Sequence, residues 1–168
     1  MGRIDKENYY LDIAETVLER ATCLRRCYGA IIVKHDEIVS TGYNGAPRGR
    51  KNCADLGCCT REALGVPSGE RYELCRSVHA EANAIISAAR RDTIGSTLYL
   101  AGRDAKTGAL LSDATSCSMC RRLIINAGIV RVVIRRTSTE YSVVHVEDWI
   151  REDDSLPSLQ AAEKASLG

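Results

Sequence analysis

Cys75-Arg76-Ser77-Val78-His79-Ala80-Glu81-Ala82-Asn83-Ala84-Ile85 and, further along the chain, Ser116-Cys117-Ser118-Met119-Cys120 are the stretches around which this sequence is organised. From His79 to about Arg91 the apolar residues Ala82, Ile85, Ile86 and Ala89 recur at helical spacing, which predicts a helix with one buried stripe. Ser118 to about Ala127 reads as a second core helix, closed by Gly128, a residue suited to the left-handed end of a helix. Both helices begin beside residues that bind metals. At such a start the unpaired N–H groups and the helix dipole favour a thiolate over a thiol.

Strands flank these helices. Gly29 to Lys34 and Ile38 to Tyr43 read as two strands joined by a turn at His35-Asp36-Glu37. Before them, Asp5 suits the cap of a helix running to about Cys23, with Ile13, Val17 and Ala21 on one face. Thr97 to Gly102, Ile129 to Arg135 and, more weakly, Tyr141 to Val146 read as further strands, followed by a helix around Glu147 to Glu152. The alternation through the second half predicts a three-layer α/β/α domain with parallel pairing there. No repeat or linker divides the chain, so residues 1–152 are expected to form a single domain and 153–168 a polar, mobile tail.

Between the second strand and His79 lies Asn44 to Val78, rich in Cys, Gly and charge and poor in periodicity. A structureless stretch of that length needs something to pin it, and a metal would do so. The chain has eight cysteines in 168 residues. In a reducing compartment, clustered cysteines point to metal more than to disulfides.

Composition narrows the function. With 45% apolar and 27% charged residues the chain is expected to be globular, with Ile, Leu, Val, Ala and seven Tyr packing a core that contains no Phe. No apolar run approaches the ~20 residues that span a bilayer, so no membrane partner is expected. The sequence Met1-Gly2-Arg3-Ile4-Asp5-Lys6 turns polar at once, and a cytoplasmic location is the expectation. A net charge of +1, from 23 basic and 22 acidic residues, gives no broad attraction for nucleic acid.

His79, Cys117 and Cys120 supply three metal ligands and leave a fourth position for water, the pattern of a catalytic zinc. Glu81, two residues past the His, reaches that water without ligating the metal. Taken singly, His79 reads as an ordinary core histidine, and Cys117-Ser118-Met119-Cys120 as a structural zinc knuckle or redox pair. Taken together and in this order, they match the H-x-E…P-C-x-x-C signature of zinc nucleobase deaminases. Ser116 departs from it, standing where that signature has proline.

More of the chain carries a resemblance. Cys23-Leu24-Arg25-Arg26, Gly42-Tyr43-Asn44-Gly45-Ala46-Pro47, Pro67-Ser68-Gly69-Glu70-Arg71 and the two stretches quoted first resemble bacterial deoxycytidylate deaminases over about residues 5–150. The resemblance implies the cytidine deaminase-like fold, a five-stranded mixed sheet between helices, and zinc-dependent conversion of dCMP to dUMP. It implies that Asn44 binds the sugar or phosphate region, that the Ala80 N–H meets the base carbonyl, and that the Ser116 carbonyl meets the exocyclic amine. A structural zinc on Cys23, Cys53, Cys59 and Cys75 is implied too. The plainer alternative is that these four are small buried hydrophobes; within the zinc reading Cys58 is an alternative ligand to Cys59, and Cys27 is a spare. A homo-oligomer, often a hexamer, activated by dCTP with Mg2+ and inhibited by dTTP, is likewise an implication of the resemblance.

Phosphate needs cationic donors near the zinc pocket. Arg25, Arg26, Arg121 and Arg122 are the candidates, with Arg26 first by its place in the family motif; solvated helix-end charge is the alternative for each. Tyr141 is a candidate to stack on the base, or a packing residue. His35 and His145 are isolated and carry no ligand role. Two other functions stay open: a deaminase acting on dCTP or tRNA, and a non-catalytic zinc-binding module on the same scaffold.

Overall fold

A computed structural model describes residues 2–153 and 164–166; all but these and Asp153 of the expected tail lies outside them. The elements run α1 (Lys6–Leu18), β1 (Arg26–Lys34), β2 (Glu37–Tyr43), α2 (Cys53–Leu56), α3 (Thr60–Ala63), a 3-10 turn (Tyr72–Leu74), α4 (Ala80–Ile86), α5 (Arg90–Thr93), β3 (Thr97–Asp104), α6 (Ser118–Ala127), β4 (Arg131–Arg135), β5 (Tyr141–His145) and α7 (Val146–Arg151). The five strands form one mixed sheet in the order β2-β1-β3-β4-β5. Of the expected parallel pairing in the second half, β3 with β4 is found, whereas β4 pairs antiparallel with β5. The reason is the connection: residues 136–140 are too few for a crossover and suffice for a hairpin.

Alternation along β1 explains the layers. Ile31 and Val33 face α1, packing with Tyr10, Leu11, Ala14 and Leu18, while Ala30 and Ile32 face α4 and α6 on the other side. Two glycines set how closely the helices approach. A Cβ on Gly29 would lie 2.1 Å from the Ala14 carbonyl of α1, and one on Gly42 would lie 2.3 Å from the Ala80 carbonyl of α4. Only a residue without a side chain fits at either contact.

Asp5 caps α1 as expected, its carboxylate accepting from the Asn8 N–H at 2.9 Å. The helix stops at Leu18 rather than near Cys23, and its buried face is Tyr10, Leu11, Ala14 and Leu18, with Ile13 and Val17 beside it. Its acidic side is held by charge: the fully buried Arg135 side chain pairs with Asp12 and Glu15, and Arg131 Nη2 lies 2.7 Å from Glu7 Oε1. Buried ions of this kind need such partners.

The helix expected from His79 to Arg91 is two helices, α4 and α5, broken at Ser87 to Ala89. Its stripe is also rotated. Ala80, Glu81 and Ala84 are buried, and Ile86 is 75% exposed. Ala80 and Ala84 pack directly on Gly42 of β2, and that close contact decides which face of α4 is buried. The Asn44–Val78 segment contains two single-turn helices and a 3-10 turn, short structures whose length hides any periodicity. No helix among the described residues is long and apolar enough to cross a membrane.

Candidate active site

His79 and Cys117 occupy the cap positions of α4 and α6, both in extended backbone, and Cys120 lies on the first turn of α6. The two helix starts meet at the same end of the sheet. His79 Nδ1 lies 3.4 Å from Cys117 Sγ and 3.4 Å from Cys120 Sγ. The three ligand atoms all fall within 4.8 Å of one another. A tetrahedral zinc with ordinary Zn–N and Zn–S bonds would hold nitrogen and sulfur about 3.5 Å apart. One nitrogen, two sulfurs and this spacing fit zinc.

The charges point the same way. The Cys117 thiol is drawn down to about 4, first by its hydrogen bond with Cys120 and, against burial, by His79. Cys120 is pushed up by that same contact, by burial and by Glu81. Two adjacent sulfurs do not both ionise on their own, and a dication between them removes the conflict. His79 is raised to about 10, chiefly by Cys117 and then by Cys75. Glu81 is 5% exposed, and burial raises its carboxyl above the usual range. A carboxyl raised in this way is suited to take up and pass on a proton.

These groups open into a cavity of about 180 Å³. His79, Ala80, Glu81, Thr115 and Cys117 line one part of it, and Arg25, Arg26, Asn44 and Ser68 are also in its wall. Of the arginines singled out in the sequence, the structure brings Arg25 and Arg26 to the cavity. Arg25 Nε lies 3.0 Å from Glu62 Oε1, and Arg26 Nη2 lies 3.5 Å from Asp113 Oδ2. Arg121 points elsewhere: its Nε donates to the Ser116 carbonyl at 3.1 Å.

Asn44 lines the cavity and is buried, with its amide engaged on β1. Its Oδ1 accepts from the Tyr28 N–H at 2.8 Å and its Nδ2 donates to the Arg26 carbonyl at 2.9 Å. One Nδ2 hydrogen is left for a ligand. Ser116 is 1% exposed and does not line the cavity; its neighbour Thr115 does. Tyr141 opens β5, paired with Arg135 at the sheet edge, and is not in the cavity wall either.

Cys23, Cys59 and Cys75 line the cavity, and Cys53 is buried nearby, its thiol raised by burial and by these three sulfurs. The four interact, but among the described residues the group gathered to metal-binding spacing is His79, Cys117 and Cys120. Cys58 is exposed. Sequence reasoning missed Thr115, Tyr28, Arg61 and Tyr72. The Arg61 guanidinium sits 4.5 Å over the Tyr72 ring, which meets the His79 ring edge-on at 5.2 Å. Nothing in the local pattern separates such an arginine from the other charged residues of its segment.

The model of the cytidine and deoxycytidylate deaminase zinc-binding region matches residues 4–136. The chain belongs to this deaminase family. A deoxycytidylate deaminase of Mycobacterium phage D29 is 37% identical over 142 residues, covering 82% of this chain and 100% of that protein. The deoxycytidylate deaminase of Schizosaccharomyces pombe is 31% identical over 127 residues, 76% of this chain but 36% of its own length, so the chain spans about a third of that relative. Among solved structures, the dCMP deaminase of cyanophage S-TIM5 in complex with dCMP and dUMP aligns with a TM-score of 0.55 at 26% identity, covering 79% of this chain and 84% of that one. A cytidine deaminase of Burkholderia pseudomallei, at 18% identity and a TM-score of 0.56, has the same fold. The five-stranded mixed sheet and its helices are thus those of the cytidine deaminase-like fold.

Proposed function

We propose that this protein catalyses the zinc-dependent hydrolytic deamination of dCMP to dUMP and ammonia. The observation that carries the reading is the meeting of His79 Nδ1 with both sulfurs at 3.4 Å, beside a buried Glu81, in a cavity whose wall also holds Arg25 and Arg26. Relatives named deoxycytidylate deaminase support the choice of substrate.

His79, Cys117 and Cys120 would hold the zinc. Zinc held there would make a neighbouring water more acidic and so a better nucleophile. Glu81 takes the proton from that water and delivers it to ring N3 as oxygen adds to C4. It then passes the second proton to the amine, and ammonia leaves as the C4 carbonyl forms. The balance is one water consumed and one ammonia released. The Ala80 N–H, at the head of α4, faces the base carbonyl, and Thr115 and Asn44 border the substrate. Arg26, with Arg25 beside it, takes the phosphate. Tyr141, which is outside the cavity wall and exposed, takes no part in binding the base.

A structural zinc on Cys23, Cys53, Cys59 and Cys75 belongs to the same reading, supported by the placement of Cys23, Cys59 and Cys75 in one cavity wall. So does a cytoplasmic homo-oligomer, activated by dCTP with Mg2+ and inhibited by dTTP, which rests on the family resemblance alone. The near-neutral charge speaks against a tRNA substrate.

The test is side-by-side ammonia release from dCMP, dCTP, deoxycytidine and tRNA, with zinc counted in the same preparation. Preference for dCMP with two zinc per chain is expected. Preference for another substrate, or no ammonia from any of them, overturns the assignment, and one zinc per chain removes the structural site.

A further inference from the structure

Ser116 takes the place of a proline immediately before a metal ligand, and its surroundings are unusual. It is buried, its hydroxyl lies beside Glu81, and its carbonyl accepts from Arg121 Nε at 3.1 Å. Arg121 follows Cys120 directly on α6. Its guanidinium carbon lies 5.1 Å from the centre of the Trp149 ring, and Trp149 belongs to α7. A continuous path of contacts therefore runs from α7 through Trp149, Arg121 and Ser116 to Cys117.

A proline at this point would fix φ and stiffen the turn by covalent geometry. Serine leaves that torsion free. A guanidinium donating to the same residue's carbonyl restores a restraint, and charged donors make the stronger bonds. The Trp149 ring in turn limits the guanidinium. The Ser116 N–H makes no backbone hydrogen bond among the described residues, so a proline would sacrifice none.

We propose that Arg121 and Trp149 are positioning residues that hold the Thr115–Cys117 turn where a proline would otherwise do so, aiming the Cys117 sulfur at His79. The inference rests on the reading of His79, Cys117 and Cys120 as a zinc site. It explains why Arg121 faces inward instead of joining Arg25 and Arg26 at the cavity. It also gives α7 a role in the chemistry without contact with substrate.

The test uses the full chain loaded with zinc. Zinc release to a chromogenic chelator and dCMP kinetics are measured for wild type, R121M, W149L, W149F and the double variant R121M/S116P, with thermal midpoints alongside. The release phase missing in C117A identifies the zinc concerned. R121M and W149L are expected to release that zinc about tenfold faster and to lose about tenfold in kcat, as groups that orient metal ligands do. W149F, which keeps an aromatic face, stays nearer wild type. Adding S116P to R121M restores both readouts, an outcome that general destabilisation does not produce. Should R121M fail to fold, W149L against W149F and W149L/S116P carry the same comparison. Wild-type release and turnover in R121M and W149L overturn the proposal, as does a double variant no better than R121M. A wild-type chain that holds no zinc is a separate failure, since it removes the metal site itself.

Discussion

Cys117 Sγ lies 3.4 Å from His79 Nδ1, although 38 positions separate the two residues in the chain. The contact exists because α4 and α6 start at the same end of the sheet and each presents its cap residue there. Removing either member leaves two ligands, too few for tight zinc binding. C117A is therefore expected to lose one zinc per chain, counted by atomic emission on purified protein. Full zinc content in that variant contradicts the ligand assignment.

Gly42 is where the sheet touches the helix that carries His79 and Glu81. A Cβ there would lie 2.3 Å from the Ala80 carbonyl and 2.4 Å from the Ala84 nitrogen, both backbone atoms that cannot rotate aside. G42A is expected to destabilise the fold by about 1–3 kcal/mol, the usual cost of overpacking. Because the strain falls on the first turns of α4, activity should fall further than stability alone explains. Urea midpoints and dCMP turnover measured on the same sample check this; an unchanged midpoint contradicts it.

Tyr10 gives the fold a sensitivity to alkali. Its hydroxyl donates to Asp36 Oδ1 at 2.6 Å, and its ionisation is pushed up to about 12, first by burial and then by that bond. The unfolded chain ionises this phenol near its ordinary value of 10.0. The folded state keeps a proton that the unfolded state releases, so this contribution is full below pH 10 and is lost as pH rises through about 12. Y10F should flatten that alkaline limb without abolishing it, because Tyr99 is raised as well, by burial and by Glu7. Denaturant midpoints at neutral pH and above pH 10 measure the difference. Equal alkaline losses in the two proteins would contradict the account.

The elements that could be read from the sequence were those whose signals are local. Asp5 and Gly128 mark the ends of α1 and α6 because caps depend on neighbouring residues. His79, Glu81, Cys117 and Cys120 were legible because their chemistry requires those residue types at those spacings. What could not be read depends on contacts across the fold. The face of α4 is set by the contact of Ala80 and Ala84 with Gly42 rather than by the apolar pattern, so Ile86 is exposed where a buried residue was expected. Asn44 has much of its amide committed to β1 backbone groups that the sequence leaves unspecified. Arg121 is an unremarkable helix charge until Trp149 and Ser116 are placed around it. The antiparallel β4–β5 pair turns on a short loop, a feature that strand propensity does not report.

Glu81 bears the proton traffic in this account, and replacing it with Gln keeps the size of the side chain while removing its acid. E81Q should retain zinc at the wild-type level and lose about 10²–10⁴-fold in ammonia release from dCMP. A variant that holds its zinc and still deaminates dCMP at near the wild-type rate would contradict the account.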